Sequence, residues 1–204
     1  NITRGDYNNG LYVMCEGTMG YNNSALDFFS FNDSVTSKYV FSKVNNQGLG
    51  ETANDMVCVG NDLFIVVSGS ASVMVVDKTT CKLKKMINIV NSANVNRQPR
   101  HITYYNNAVY VSCFDGNIVK ISTEDYSIKG VVETGGRNPD GMAVMNGMLY
   151  VTNSGGLSYP NYDNTVSVID LSSFSFVKKI TVSSNPTIVK TYNDKVYVLS
   201  FGDY

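Results

Sequence analysis

Asn146-Gly147-Met148-Leu149-Tyr150-Val151 is the stretch on which the fold turns. An Asn-Gly pair ahead of apolar and aromatic residues marks a type I′ hairpin running into a strand. The pattern recurs as Asn8-Asn9-Gly10-Leu11-Tyr12-Val13 and Asn61-Asp62-Leu63-Phe64-Ile65-Val66. It returns again as Asn106-Asn107-Ala108-Val109-Tyr110-Val111 and Asn193-Asp194-Lys195-Val196-Tyr197-Val198. With Tyr12, Ile65, Tyr110, Tyr150 and Tyr197 taken as equivalent, the spacings are 65−12=53, 110−65=45, 150−110=40 and 197−150=47.

A period of about 40–50 residues is that of propeller blades. Each repeat reads as four short strands. In the clearest copy these are Met142 to Met145, Leu149 to Asn153, Thr165 to Asp170 and Phe176 to Val182, with Leu171-Ser172-Ser173 as a turn. No segment keeps a 3.6-residue period, so almost no helix is expected. A second landmark precedes the first strand: Gln98-Pro99-Arg100, Asn138-Pro139-Asp140 and Asn185-Pro186-Thr187. Its spacings, 139−99=40 and 186−139=47, match those of the hairpins. In the second repeat the same offset puts Asn54 at the Pro position and Asp55 beside it. Pro is expected ahead of the ladder, where no N–H is needed.

The predicted fold class is therefore all-β, a β-propeller of four-stranded antiparallel blades, with residues 1–204 forming one propeller domain. The first strand of the first blade falls near Arg4 to Tyr7, and the chain stops one strand past the fifth hairpin. That makes about four and a half blades. Blades bury their faces only against neighbours, so the domain is expected to be incomplete at its C-terminus. More chain, or a partner chain, would complete the ring.

Composition narrows the function. Of the 204 residues, 16 are Lys or Arg and 17 Asp or Glu, for a formal net charge of −1. A nucleic-acid binder tracking phosphates needs a basic face, so that class is excluded. No apolar run approaches a membrane helix, so no transmembrane segment is expected. There is 1 histidine and no Cys-x-x-Cys pair among the 4 cysteines, which removes a Cys/His zinc site. The cysteines read as small strand residues, with Cys81, in Thr79-Thr80-Cys81-Lys82, expected to be the most exposed. Arg4-Gly5-Asp6 is a three-letter match to a cell-adhesion tripeptide and carries no weight.

The chain resembles the YncE-like seven-bladed propellers of Bacteroidetes surface proteins, some labelled surface-layer proteins. The resemblance runs through Asn153 to Asp170, Gly136-Arg137-Asn138-Pro139, Thr52-Ala53-Asn54-Asp55-Met56 and Glu16-Gly17 with Gly20 and Asn22-Asn23. Cys15 departs from it, standing where the family more often has Asn. The resemblance implies a ring of seven blades and an exported lipoprotein at the cell surface or the periplasmic side of the outer membrane. Its anchor would lie in a segment outside this chain. It also implies a place beside an outer-membrane transporter and, for some members, cobalamin as ligand.

Loop lengths place the site. The Asn-Gly hairpins are too short to bind much. The loops Glu16 to Ser24, Asn45 to Asn54, Asn91 to Pro99 and Asn153 to Asn164 gather at the other end of the strands, and long loops on a rigid scaffold carry function. Tyr21, Arg97, Phe114, Arg137, Tyr159 and Tyr162 are the expected ligand-binding residues there, aromatics for area and Arg for directed donors. At the mouths of the first strands stand Asp55, Arg100, Asp140 and Thr187. The first three join the binding set, although mutual neutralisation around ordered water is the commoner use of such a ring. His101 is expected in the channel or core rather than as a base.

No catalytic residue, metal ligand or cofactor is expected. The reading is a non-enzymatic propeller that binds a small-molecule nutrient or a transporter. Two alternatives stand beside it: a calcium-dependent lactonase-type hydrolase using Asn54, Asp55 and Asp140, and a purely structural surface or interaction scaffold.

Overall fold

A computed structural model describes residues 6–203. Arg4 and Gly5, the start of the expected first strand and of the tripeptide, lie outside the described residues. The chain divides into two compact units, Asn1–Asn96 and Arg97–Tyr204.

The first unit begins with β1 (Gly10–Cys15), β2 (Ala25–Ser30) and β3 (Thr36–Ser37), a three-stranded sheet in that order. Its last strand is cut to two residues, and a short helix α1 (Val40–Asn45) follows. Val40 and Phe41 of α1 are buried in the unit's core beside Leu26, Phe28 and Leu49. Asn45 ties the helix down: its Nδ2 donates to the carbonyls of Phe41 and Cys81, and its Oδ1 accepts from Leu83 N. The next sheet is a full blade, β4 (Ala53–Val59), β5 (Asp62–Val67), β6 (Ser72–Asp77) and β7 (Leu83–Asn88), each strand antiparallel to the last. The strands β5 and β6 are buried on both faces, which is why Leu63 to Val67 and Val73 to Val76 read as unbroken apolar runs. Each such side chain contributes about 2 kcal/mol on burial.

The second unit holds two more full blades. One is β8 (Pro99–Tyr105), β9 (Ala108–Cys113), β10 (Asn117–Ser122) and β11 (Ile128–Glu133). The other is β12 (Pro139–Met145), β13 (Met148–Asn153), β14 (Thr165–Asp170) and β15 (Ser175–Thr181). A two-stranded sheet follows, β16 (Pro186–Tyr192) with β17 (Lys195–Ser200). Tyr110, Ile118, Leu149, Val151 and Ile169 fill the core between the two full blades. The all-β class and the four-stranded antiparallel blades are as the repeats predict, and α1 is the one α-helix among the described residues. No helix there is long and apolar enough to cross a membrane.

Three details differ from the sequence reading. Pro99, Pro139 and Pro186 do not precede the ladder; they open it, paired with Cys113, Asn153 and Ser200. Pro is tolerated as the first residue of a strand, where the missing N–H breaks nothing. Second, the second repeat is offset by one. Its loop is Gly60-Asn61, closed by the pair Val59↔Asp62. Only Gly60 of these two has a positive φ, 57°, as a type II′ turn requires, whereas Asn146 and Gly147 both do, at 51° and 75°. Asp62 therefore stands where Met148 stands, and Phe64, not Ile65, is the counterpart of Tyr150.

Third, Cys81 is fully buried, while Cys15 and Cys58 are exposed. The turns between β2 and β3, β6 and β7, β10 and β11, and β14 and β15 each end on a left-handed residue: Ser34, Cys81, Tyr126 and Phe174, with φ between 50° and 58°. That conformation tucks Cys81 into the first unit's core. Burial pushes its thiol up to about 12. Cys113 is raised by the same cause. Two of the 4 thiols, Cys15 and Cys58, should therefore label with a thiol reagent at about pH 8, and all four once the protein is denatured. Rapid labelling of Cys81 in the native state would contradict the buried turn.

Candidate functional site

The mouths of the first strands share a device that the sequence does not announce. Each carries one extra residue against its neighbour just after the opening pair. In β8, Arg100 and His101 lie between the pairs Pro99↔Cys113 and Ile102↔Val111, opposite Ser112 alone. In β12, Asp140 and Gly141 lie opposite Thr152 alone. In β16 the extra residue is Thr187, between Pro186↔Ser200 and Ile188↔Leu199. In β4 it is Asn54, between Ala53↔Val67 and Asp55↔Val66. With the corrected offset, Asn54 rather than Asp55 is the counterpart of Asp140. A β-bulge interrupts the in-out alternation and re-aims a side chain, which is why bulges gather at sites.

The bulges hold polar groups that the protein does not satisfy. Arg100 lies over the Phe114 ring, 4.7 Å from its centroid, and its Nε is buried without a hydrogen-bond partner. Thr187 Oγ1, also in the second unit, is in the same state, as is Asn54 Oδ1 in the first. A buried polar atom without a protein partner calls for water or a guest. Arg100 and Asp140 do not neutralise each other. Asp140, buried, is bound instead by His101, with Nε2 to Oδ1 at 2.8 Å. Strict alternation would send Arg100 and His101 to opposite faces of β8. At the bulge, His101 N donates to Ser112 Oγ and the imidazole reaches the next blade.

The long-loop end of the second unit is built around a different carboxylate. Asp163 is buried at the base of the loop between β13 and β14. Its Oδ2 accepts from Arg137 N at 2.8 Å, and its Oδ1 from Asn164 N and Thr165 Oγ1, both at 2.7 Å. Arg137 Nε lies 3.9 Å from the same carboxylate, and its NH2 group donates to the Tyr162 carbonyl at 2.9 Å. Asn138 works from the other side: its Nδ2 donates to Phe114 O, and its Oδ1 accepts from Leu157 N. Gly155 has a φ of 62°, and a Cβ there would sit 2.2 Å from Asp163 N, so only glycine closes this loop. The Tyr159-Pro160 peptide is cis. Tyr159 and Tyr162 meet edge to face at 6.1 Å, yet Tyr159 stays 70% exposed and Leu157 66%.

The predicted residues therefore fall into separate groups. Arg100 meets Phe114, and Arg137 meets Tyr162 and through it Tyr159. Arg97 pairs with Asp115 at 2.5 Å, on the turn between β9 and β10. In the first unit Tyr21 is 74% exposed on a loop tied by Thr18 N to Asn23 Oδ1 and by Gly20 N to Glu51 Oε1. Asp55 is half-buried, its Oδ1 accepting from Met56 N. The residues that sequence reasoning missed are Asp163 and Asn138. Asp163 follows Tyr162 in an Asn/Asp-rich run, and only its fold partners mark it out. Among the described residues no group of three or more His, Cys, Asp or Glu side chains is placed to hold a metal ion.

Comparison with known proteins agrees with this architecture. The chain belongs to the family described as a domain of unknown function, DUF5074, whose model matches residues 9–201. No curated protein matches it. Among solved structures it is similar to Kuenenia stuttgartiensis hydrazine synthase, at 17% identity and a TM-score of 0.72, over 97% of this chain and 56% of that one. The computationally designed Ika8 protein matches at 11% identity and a TM-score of 0.68, over 94% of this chain and 52% of that one. The WD40 β-propeller domain of Doa1 matches at 13% identity and a TM-score of 0.63, over 85% of this chain and 53% of that one. At these identities the likeness is one of fold, and the sheets are blades of a β-propeller. The chain spans about half the length of these three structures.

Proposed function

We propose that this chain is a non-enzymatic binding module that captures a small-molecule nutrient through the long-loop end of its blades. The observation that carries the reading is the loop between β13 and β14. Its base is fixed by the buried groups Asp163 and Asn138, and its tip holds Leu157 and Tyr159 out to solvent. An ordered loop that keeps apolar side chains exposed has already met the ordering cost of binding. The unsatisfied polar atoms of Arg100 and Thr187 support a polar guest deeper in the same unit. The buried carboxylates Asp140 and Asp163 are engaged by His101 and by loop donors, which favours binding over hydrolysis.

The resemblance to YncE-like surface lipoproteins supports an exported protein, with cobalamin as the nutrient and an outer-membrane transporter as its recipient. Calorimetry with cobalamin tests this. The expected result is saturable heat with the wild type and at least tenfold weaker binding in Tyr159→Ala, whose melting is unchanged. Absence of heat removes cobalamin. A transporter that co-purifies with the wild type and not with Tyr159→Ala would move the loop to protein recognition. Failure of both would end the reading.

A further inference from the structure

A cavity opens in the Arg97–Tyr204 unit, at the hairpin end of its two full blades. It has a volume of about 350 Å³ and is lined by Tyr105, Tyr110, Lys120, Asn146, Met148 and Asp170, among others. The short turns at this end give no sign of it in the sequence.

The chemistry centres on Lys120. It stands in β10 directly opposite Tyr110 on one side and Gly130 on the other. Its Nζ lies 5.9 Å from the Tyr110 ring centroid and 5.5 Å from that of Phe174, within cation–π range of both. Phe174 reaches this place from the turn between β14 and β15 through its left-handed φ of 50°. Gly130 makes room for it: a Cβ there would meet the Phe174 ring at 3.1 Å. The two rings contact each other at 5.8 Å. The ammonium is thus held in place by aromatic faces, and it makes no hydrogen bond or ion pair with any described residue. The nearby acid is already occupied. Asp170 Oδ1 accepts from Ser172 N, Ser172 Oγ and Ser173 N, and these bonds hold its carboxyl below the usual range.

We propose that this cavity is a binding site for a small hydroxylated ring acid, a sugar carboxylate in chemical class. The carboxylate pairs with Lys120, the ring lies against the half-buried Tyr105, and hydroxyls meet the Asn146 amide and the free edge of Asp170. The volume sits at the low end of small-molecule pockets, which suits one ring and not a large cofactor. A cation held against two aromatic rings loses little freedom on pairing, so the site is organised before the ligand arrives. The proposal does not rest on the long-loop reading, because the residues concerned are different.

The test is titration with glucuronate and with glucose, its neutral counterpart, followed by the Gly147 amide chemical shift. Glucuronate is expected to shift Gly147 saturably, with glucose at least tenfold weaker. Lys120→Met should weaken glucuronate by at least tenfold while Lys120→Arg retains it, and calorimetric melting of both variants checks that they are folded. Equal shifts from glucose and glucuronate, undiminished binding in Lys120→Met, or no shift with either sugar would overturn the site.

Discussion

Asp163→Ala should destabilise the Arg97–Tyr204 unit by about 3 kcal/mol and release the loop between β13 and β14. The carboxylate accepts from two backbone N–H groups, Arg137 and Asn164, and from the Thr165 hydroxyl, and it faces the Arg137 guanidinium. Removing it leaves these donors together at a buried point. Orphaned donors cost about 1–3 kcal/mol each, and the exposure of Asn164 lets water recover part of that. The loss should appear as a drop of roughly 10 °C in the melting of this unit. Asp163→Asn keeps one acceptor and should fall about half as far. Amide exchange at Arg137 and Asn164 should quicken in Asp163→Ala, and Tyr159 should lose its fixed place against Tyr162. An unchanged melting curve would mean that the loop is held by Asn138 and Gly155 without the acid.

Much of the blade architecture was legible because it is written locally. Asn146-Gly147 and Asn106-Asn107 need positive φ at both positions, and that requirement shows in the sequence as residue type. The slip in the second repeat has the same origin. Gly60-Asn61 uses a different turn with its glycine first, and aligning Asn61 with Asn146 moves every counterpart in that repeat by one. The burial of Cys81 does not show in the sequence, because Thr79-Thr80-Cys81-Lys82 has the composition of an exposed turn. The left-handed residue that closes that turn points inward, and nothing in the residue type says so.

The site was less legible, for a reason of geometry. Loop length marks the loop in which Tyr159, Tyr162 and Arg137 meet. What holds them is Asp163, whose role depends on a partner 26 residues away in sequence. The repeat offset likewise puts Arg100 and Asp140 at equivalent strand mouths, where the strand period would aim both side chains alike, and leaves His101 aside. The bulge breaks that period, so the acid finds His101 and Arg100 stacks on Phe114. Lys120 escaped notice because its setting is made by Phe174 and Gly130, from a neighbouring blade and a neighbouring strand.

Gly141→Ala should cost about 3 kcal/mol, and its effect should reach both fold and site. Gly141 is the second residue of the bulge in β12. A Cβ there would lie 2.4 Å from Thr187 O and 3.3 Å from Ile188 Cα, both backbone atoms of β16. No rotamer change relieves a clash with backbone, so β12 and β16 must separate. Overpacking of this kind costs about 1–3 kcal/mol, and a rigid backbone partner places it at the upper end. The strain also acts on Asp140, one residue away, and so on its bond to His101. Melting should fall by roughly 10 °C. The His101 ring resonances should shift in the folded variant, whereas Leu149→Ala, which opens a cavity in the core at similar cost, should leave them in place. If Gly141→Ala melts like the wild type, β16 moves freely against β12, and the bulge is not the rigid element that the binding reading requires.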